Sequence, residues 1–301
     1  MSKKAARFPK ISMAHRRKPC SLQKKAVTIP SPSPKGEDAR LVIDVQAEEG
    51  ASAAFLFRLE KGASLSLTWR LTGGDREGTC VLAAYYELAE DARLHVSRLE
   101  SGLTKTIIYD QRHSVLAARA RADFYAAELG GEKIIVHSYG KLSGDASEMN
   151  ERAIYAGRGR QHLDFFYHID HVGKKTKAEI DLKGALADES KKIFRGTLDF
   201  KRGCAGSVGD EGDFAIQLDP KTKNISLPLL LCTEDDVQGN HASSAGQLDQ
   251  NTIYFLMSRG FTLEEARRIV VEALIRPIID GMDETIREEV LTAVREKLDR
   301  E

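Results

Sequence analysis

The chain has 301 residues, of which 30 per cent are charged and 42 per cent hydrophobic, with 45 lysines and arginines against 45 aspartates and glutamates. That length holds one large domain or two modest ones with a sizeable core, and the balanced charge argues against nucleic acid as a partner. No uninterrupted apolar stretch approaches the ~18 residues of a membrane span, which excludes a permease. The four cysteines, Cys20, Cys80, Cys204 and Cys232, form no C-x-x-C pair. A zinc ribbon or a locally wrapped iron–sulfur cluster would show such pairs. With no secretory signal, free thiols in a reducing cytoplasm are expected.

Residues 1–39 open the chain with nine lysines and arginines and no acid between Met1 and Lys25. Too few apolar residues for a core predict a flexible tail; a basic arm that touches an acidic partner is the other reading. From Arg40 the pattern turns to strands. In "LSLTWRL", Leu65, Leu67, Trp69 and Leu71 alternate with polar Ser66, Thr68 and Arg70, a period of two with one buried face. The runs "TIIYDQRHSVL", "EKIIVHSYGKLSG", "HLDFFYHIDH", "AEIDLKGAL", "IFRGTLDF" and "ISLPLLLC" continue it between turn residues, and Ala118, Ala120, Ala122 and Phe124 place "ARARADFYAAEL" among the strands. Strand starts near residues 134, 162, 178, 193 and 225 show no tight repeat. The expectation is a mainly β domain over residues 40–250: a sandwich, a barrel or a solenoid.

Residues 251–301 differ. Thr262 with Glu265 three positions later forms a capping box, and Ala266, Ile269, Val270, Ala273 and Leu274 make an apolar stripe at helical spacing. Pro277 is expected to disrupt this helix. A second helix carries Ile286, Val290, Val294 and Leu298 at i+4 steps.

Two polar stretches carry candidate chemistry. In "HLDFFYHIDH", His162, Asp164, Phe166, His168 and Asp170 share one face of a strand and supply ligand types for a divalent metal. One strand rarely completes a site, so a solvent-facing strand with ladder partners is the competing reading. In "TEDDVQGNHASSAG", Asp235 and His241 lie on one face if the segment is extended, a pairing suited to a metal or to proton transfer. A capped turn is the alternative there. No G-x-S-x-G and no P-loop occur, so any ATP hydrolysis belongs to a partner.

The segment "DDVQGNHASSAGQLDQNTIYFLMSRGFTLEEA" (Asp235–Ala266) resembles the C-terminal signature of the SufB/SufD scaffold proteins of iron–sulfur cluster assembly. Asp235, Asp236, Val237, His241, Gly246, Leu248, Asp249, Phe255, Leu256, Ser258, Arg259, Gly260 and Ala266 fall on its pattern, and "GALADESKKIFRG" resembles the family's upstream turn. The resemblance implies a right-handed parallel β-helix followed by a helical domain. It also implies docking of a SufC-type ATPase through residues such as Ser258, Arg259, Gly260, Phe261, Glu264, Ile269, Val270 and Ala273. Pairing with a SufB-like subunit or a second copy is implied as well, with a transient iron–sulfur cluster near that interface. His241 and Asp235 are the implied iron ligands. The family's cysteine before the histidine is Gly239 here, and Cys232 is expected to be a core thiol. These departures favour a non-catalytic, SufD-like supporting subunit that binds no nucleotide. An adaptor without cluster chemistry and a carbohydrate-active β-helix enzyme are the rival readings.

Overall fold

Most strands keep one apolar face, and the protein turns that face inward between two parallel sheets. The computed structural model describes residues 11–14, 23–31, 39–47 and 50–299. One sheet runs β1 (Ile11–Ala14), β3 (Ala39–Gln46), β5 (Ser64–Gly73), β7 (Arg93–Gly102), β9 (Arg121–Glu128), β11 (Glu148–Gly157), β13 (Lys177–Leu186), β15 (Ser207–Gln217) and β17 (Val237–Gly246). The other runs β2 (Gln23–Ile29), β4 (Gly50–Leu59), β6 (Gly78–Leu88), β8 (Thr106–Leu116), β10 (Lys133–Leu142), β12 (His162–His171), β14 (Lys191–Phe200) and β16 (Lys223–Cys232). The chain crosses from sheet to sheet with every strand and pairs in parallel one turn later, which makes a parallel β-solenoid. Lys133 pairs with His162 and His162 with Lys191, 29 residues per step. The irregular spacing in the sequence arises because the starts near 134, 162, 193 and 225 belong to one sheet and that near 178 to the other.

One corner of each turn stacks on the next. Gly62, Asp91, Arg119, Ala146, Lys175 and Gly206 all have positive φ, from 55° to 75°. Each N–H donates to the carbonyl of the following turn, as Ala146 does to Lys174 at 2.8 Å and Lys175 to Ala205 at 2.9 Å. The hydrogen-bond ladder therefore continues round the corner, and the left-handed conformation is maintained even where the residue is not glycine. Inside, Phe55, Phe57, Trp69, Tyr86, Phe124 and Phe165 fill the turns, with Phe57 and Tyr86 stacked at 5.2 Å.

Three helices follow among the described residues: α1 (Gln250–Ser258), α2 (Leu263–Gly281) and α3 (Glu284–Leu298). The capping box at Thr262 and Glu265 is present. Helix α2 continues through Pro277, against expectation, because Ile275, Ile278 and Ile279 around it are buried. They join Val271, Ile286, Val290 and Val294 against Leu99, Ala127, Ile154 and Ala185 on the outer face of the odd-numbered sheet. That packing outweighs the ~3 kcal/mol a proline costs inside a helix. No helix among the described residues is long and apolar enough to cross a membrane.

Within residues 1–39, expected as a tail, Ile11–Ala14 and Gln23–Ile29 pair in parallel with β3 and β4, so the sheets begin earlier than expected. Residues 1–10, 15–22 and 32–38 lie outside the described residues. Cys80 and Cys204 are buried, whereas Cys232 is exposed and is no core thiol, because it ends the last strand of its sheet.

Candidate functional site

Strands β16 and β17 form the last turn of the solenoid, and no strand lies above either of them among the described residues. Their burial pattern shows it: almost all of β17 is exposed, and β16 exposes every second residue. Ile225, Leu227, Leu229 and Leu231 project outward at 39 to 54 per cent exposure. Leu230 and Val237 pack on the core from the inward side.

His241 sits on this last turn. In the parallel register it follows Glu211, which follows Ile180 and Glu151, and register partners in a parallel ladder project to the same side. Glu211 is 3 per cent exposed, so the row faces inward and His241 is its solvent-accessible end. The carboxylate of Glu211 occupies room left by Gly196, where a Cβ would lie 1.8 Å from Oε1. Burial and the neighbouring Asp213 push its acid up to about 8, against the favourable N–H of Leu229. Gly239 faces the same interior: a Cβ there would meet Phe200 at 3.2 Å and Leu230 at 3.4 Å.

Asp235 and Asp236 form a bend before β17, not an extension of it. Glu234 fixes that bend by accepting from the backbone N–H groups of Gly203 at 2.7 Å and Asp235 at 3.1 Å. The carboxylates are thus drawn into turn geometry, and neither Asp235 nor His241 belongs to a cluster of three ligand-type side chains among the described residues.

The second part of the site is the helical end. Ser258, Arg259 and Gly260 stop α1. Gly260, with φ 97°, donates to the Met257 carbonyl at 3.0 Å and Phe261 donates to that of Leu256 at 3.4 Å, the paired bonds of a Schellman stop. Ser258 Oγ donates to the Phe255 carbonyl at 2.7 Å, and the Arg259 guanidinium lies 5.1 Å over the Phe255 ring. The S-R-G block therefore builds a turn that presents apolar side chains: Tyr254, Phe255, Met257, Phe261 and Leu263 are 40 to 67 per cent exposed. Of the α2 residues expected at a partner surface, Glu264 and Ala273 are exposed and Ile269 and Val270 half-buried. Tyr254, Phe255, Met257 and Leu263 were not among the expected contacts: in α1 the apolar residues fall in one unbroken run, Ile253–Met257, which shows no helical period, and Leu263 only opens α2.

The family model described as "SUF system FeS cluster assembly, SufBD core domain" matches residues 42–274. The chain belongs to the SufBD family. Its SufBD relatives include the iron–sulfur cluster assembly protein SufD of Bacillus subtilis, 26% identical over 204 residues, which covers 67% of this chain and 46% of that protein. A SufBD family protein of Mycobacterium leprae is 25% identical over 216 residues, covering 69% and 55% respectively. The chain spans about half the length of these curated relatives. As a SufD-like member it carries the β-solenoid and the helices that follow it.

Proposed function

We propose that this chain is a non-catalytic subunit of a Suf-type assembly complex. Its open last turn pairs with a SufB-like subunit or a second copy, and its C-terminal helices dock a SufC-type ATPase. The observation that carries the reading is the uncovered last turn, where His241 ends an inward row above buried Glu211 beside four exposed aliphatic side chains. Iron or a nascent cluster delivered to that interface would meet His241, with Asp235 in the adjoining bend. Thiolates are the usual cluster ligands, and Gly239 offers none, so the partner supplies them. The exposed aromatic side chains of α1 supply the apolar anchors that a protein interface requires. Because α2 and α3 pack on the outer sheet, a push from a docked ATPase reaches the solenoid through rigid contacts.

Size-exclusion chromatography with the SufC-type ATPase of the same source tests the docking. Co-elution is expected, with Phe255→Asp and Phe261→Asp each weakening it about 10-fold or more; wild-type protein that elutes apart from the ATPase overturns it. For the interface, anaerobic reconstitution of the pair with iron and sulfide should give a visible absorbance that His241→Ala diminishes. An unaltered spectrum would remove His241 from the mechanism.

A further inference from the structure

The outer face of the even-numbered sheet carries an unusual arrangement of polar groups one strand below the last turn, where Leu231 of β16 is the register partner of Asp199. His168 and Asp170 project from β12, and Asp199 on β14 is the register partner of Asp170. One ligand atom from each lies within 4.8 Å of the others. His168 Nε2 is 3.0 Å from Asp170 Oδ1. Tyr139 on β10 donates its hydroxyl to the other oxygen of Asp170, and the Tyr139 ring stacks on His168 at 5.3 Å. Like charges directly opposite one another in a ladder destabilise it. Here the two carboxylates are only 9 and 10 per cent exposed, so their repulsion is poorly screened.

The resident counter-charge is Lys201. Its ammonium contacts Asp199 and lies 3.4 Å from Asp170 Oδ1. Lys141, the β10 partner of Asp170, forms no ion pair with it among the described residues. Two carboxylates and one contacting ammonium leave one net negative charge, which a dication in place of the lysine would neutralise. Lys201 is 44 per cent exposed, so its flexible stem can withdraw into water without breaking a packed surface.

We propose that His168, Asp170 and Asp199 bind a first-row divalent metal ion, with Lys201 as the ammonium that the ion displaces. One imidazole nitrogen and two carboxylate oxygens suit zinc, iron(II) or manganese(II), whereas calcium takes six to eight oxygens. Two ligands about 2.1 Å from a tetrahedral ion lie about 3.4 Å apart, so atoms at the 4.8 Å limit must close by more than about 1 Å, through rotation of the His168 and Asp199 side chains. The open side of the site leaves positions for water. His168 and Asp170 are two of the column His162–Asp170 that the sequence singles out; the third ligand comes from the neighbouring strand. The site borders the aliphatic row of the last turn through Leu231, but none of its ligands comes from that turn and His241 is not one of them.

Isothermal titration with zinc chloride tests this in a His241→Ala background, which removes the histidine of the last turn. One zinc per chain is expected, with affinity lowered roughly 10-fold or more by His168→Ala or Asp199→Asn. Lys201→Met, which keeps all three ligands and needs no loss of folding, should tighten binding about 5-fold or more by removing the competing ammonium. Affinity unchanged by His168→Ala and Asp199→Asn in chains with wild-type circular dichroism, or weakened by Lys201→Met, overturns the proposal.

Discussion

Two guanidinium groups are sealed inside the middle turns of the solenoid with more acids than they can neutralise. Arg98 contacts Asp110 at 2.5 Å and Glu100 at 3.2 Å, while Arg112 contacts Asp110 at 2.7 Å and Glu128 at 2.6 Å, every partner at most 1 per cent exposed. Burial and the charges of Glu128 and Asp110 raise the Glu100 acid well above its ordinary range. Glu151 lies beside this cluster and accepts from Ser138 Oγ at 2.6 Å. Burial lifts its acid from 4.5 to about 7, more than Arg112 and Ser138 lower it. The folded chain therefore holds this proton more tightly than the unfolded chain does. The resulting stability is fully present below about pH 4.5 and is lost as pH rises through about 7, in total about 3 kcal/mol. Urea unfolding at pH 5 and pH 8 should show that fall, and Glu151→Gln should lessen it by about that amount; an equal fall in the variant contradicts the assignment. Glu211, lifted to about 8, adds a slope of the same sign. None of this was legible in the sequence. Leu94, Val96, Arg98 and Glu100 alternate with their neighbours as a buried face does, but two charges on that face read as a strand leaving the core. Only their partners on β8 and β9, brought alongside by the two-sheet winding, show why they stay inside.

The corners and helix ends decide how the elements meet. Ala146 holds φ 55° and is exposed, so its side chain contributes strain and little packing. A left-handed non-glycine residue costs about 1–2 kcal/mol, and glycine loses about 0.5–1 kcal/mol of that through backbone entropy. Ala146→Gly should therefore stabilise the chain by about 0.5 kcal/mol, read as a raised urea midpoint. Gly281 makes the opposite case. A Cβ there would lie 2.2 Å from Tyr125 Cε1 and 2.6 Å from Cζ, at the point where α2 ends on the outer sheet. Tyr125 cannot swing freely, since its hydroxyl accepts from Arg152 at 3.0 Å. Gly281→Ala should thus destabilise by about 1–3 kcal/mol through overpacking, and a midpoint equal to that of the wild type would show that the helices are not seated this tightly. The capping box of α2 was readable because both of its groups are local. The apolar stripe Ala266, Ile269, Val270, Ala273 and Leu274 stops short of the packed face, because Pro277 is expected to end the helix. With the helix running on to Gly281, Val271, Ile275, Ile278 and Ile279 become the face that packs.

At the scale of the whole molecule, the two long sides of the solenoid and its final turn are treated differently. Helices α2 and α3 cover the outer face of one sheet, whereas β16 and β17 each end their sheet with an unpaired edge among the described residues. The ten-residue edge of β17, with open backbone donors and acceptors, is a template for pairing with another chain, whereas Pro228 interrupts the donors of β16. Nothing on β17 guards that edge with lysine or proline. The outward aliphatic row of β16 extends the template with an apolar patch that a stable monomer seldom leaves open. The S-R-G block and His241 made the family readable from sequence, and Pro228 in "ISLPLLLC" already marks an edge strand, but which end of which sheet it closes needed the strand order. If the last turn is an interface, Leu227→Lys and Leu229→Lys together should abolish association while leaving the fold intact, since both side chains face solvent at 54 and 48 per cent exposure. Sedimentation velocity reads the result. A wild-type dimer that the double substitution converts to monomer identifies a second copy as the cover. A wild-type monomer that associates only when a cysteine-retaining SufBD homologue is added, and fails to do so once substituted, identifies the heterologous pair. Association that survives the substitutions in both settings places the interface elsewhere on the molecule and separates His241 from it.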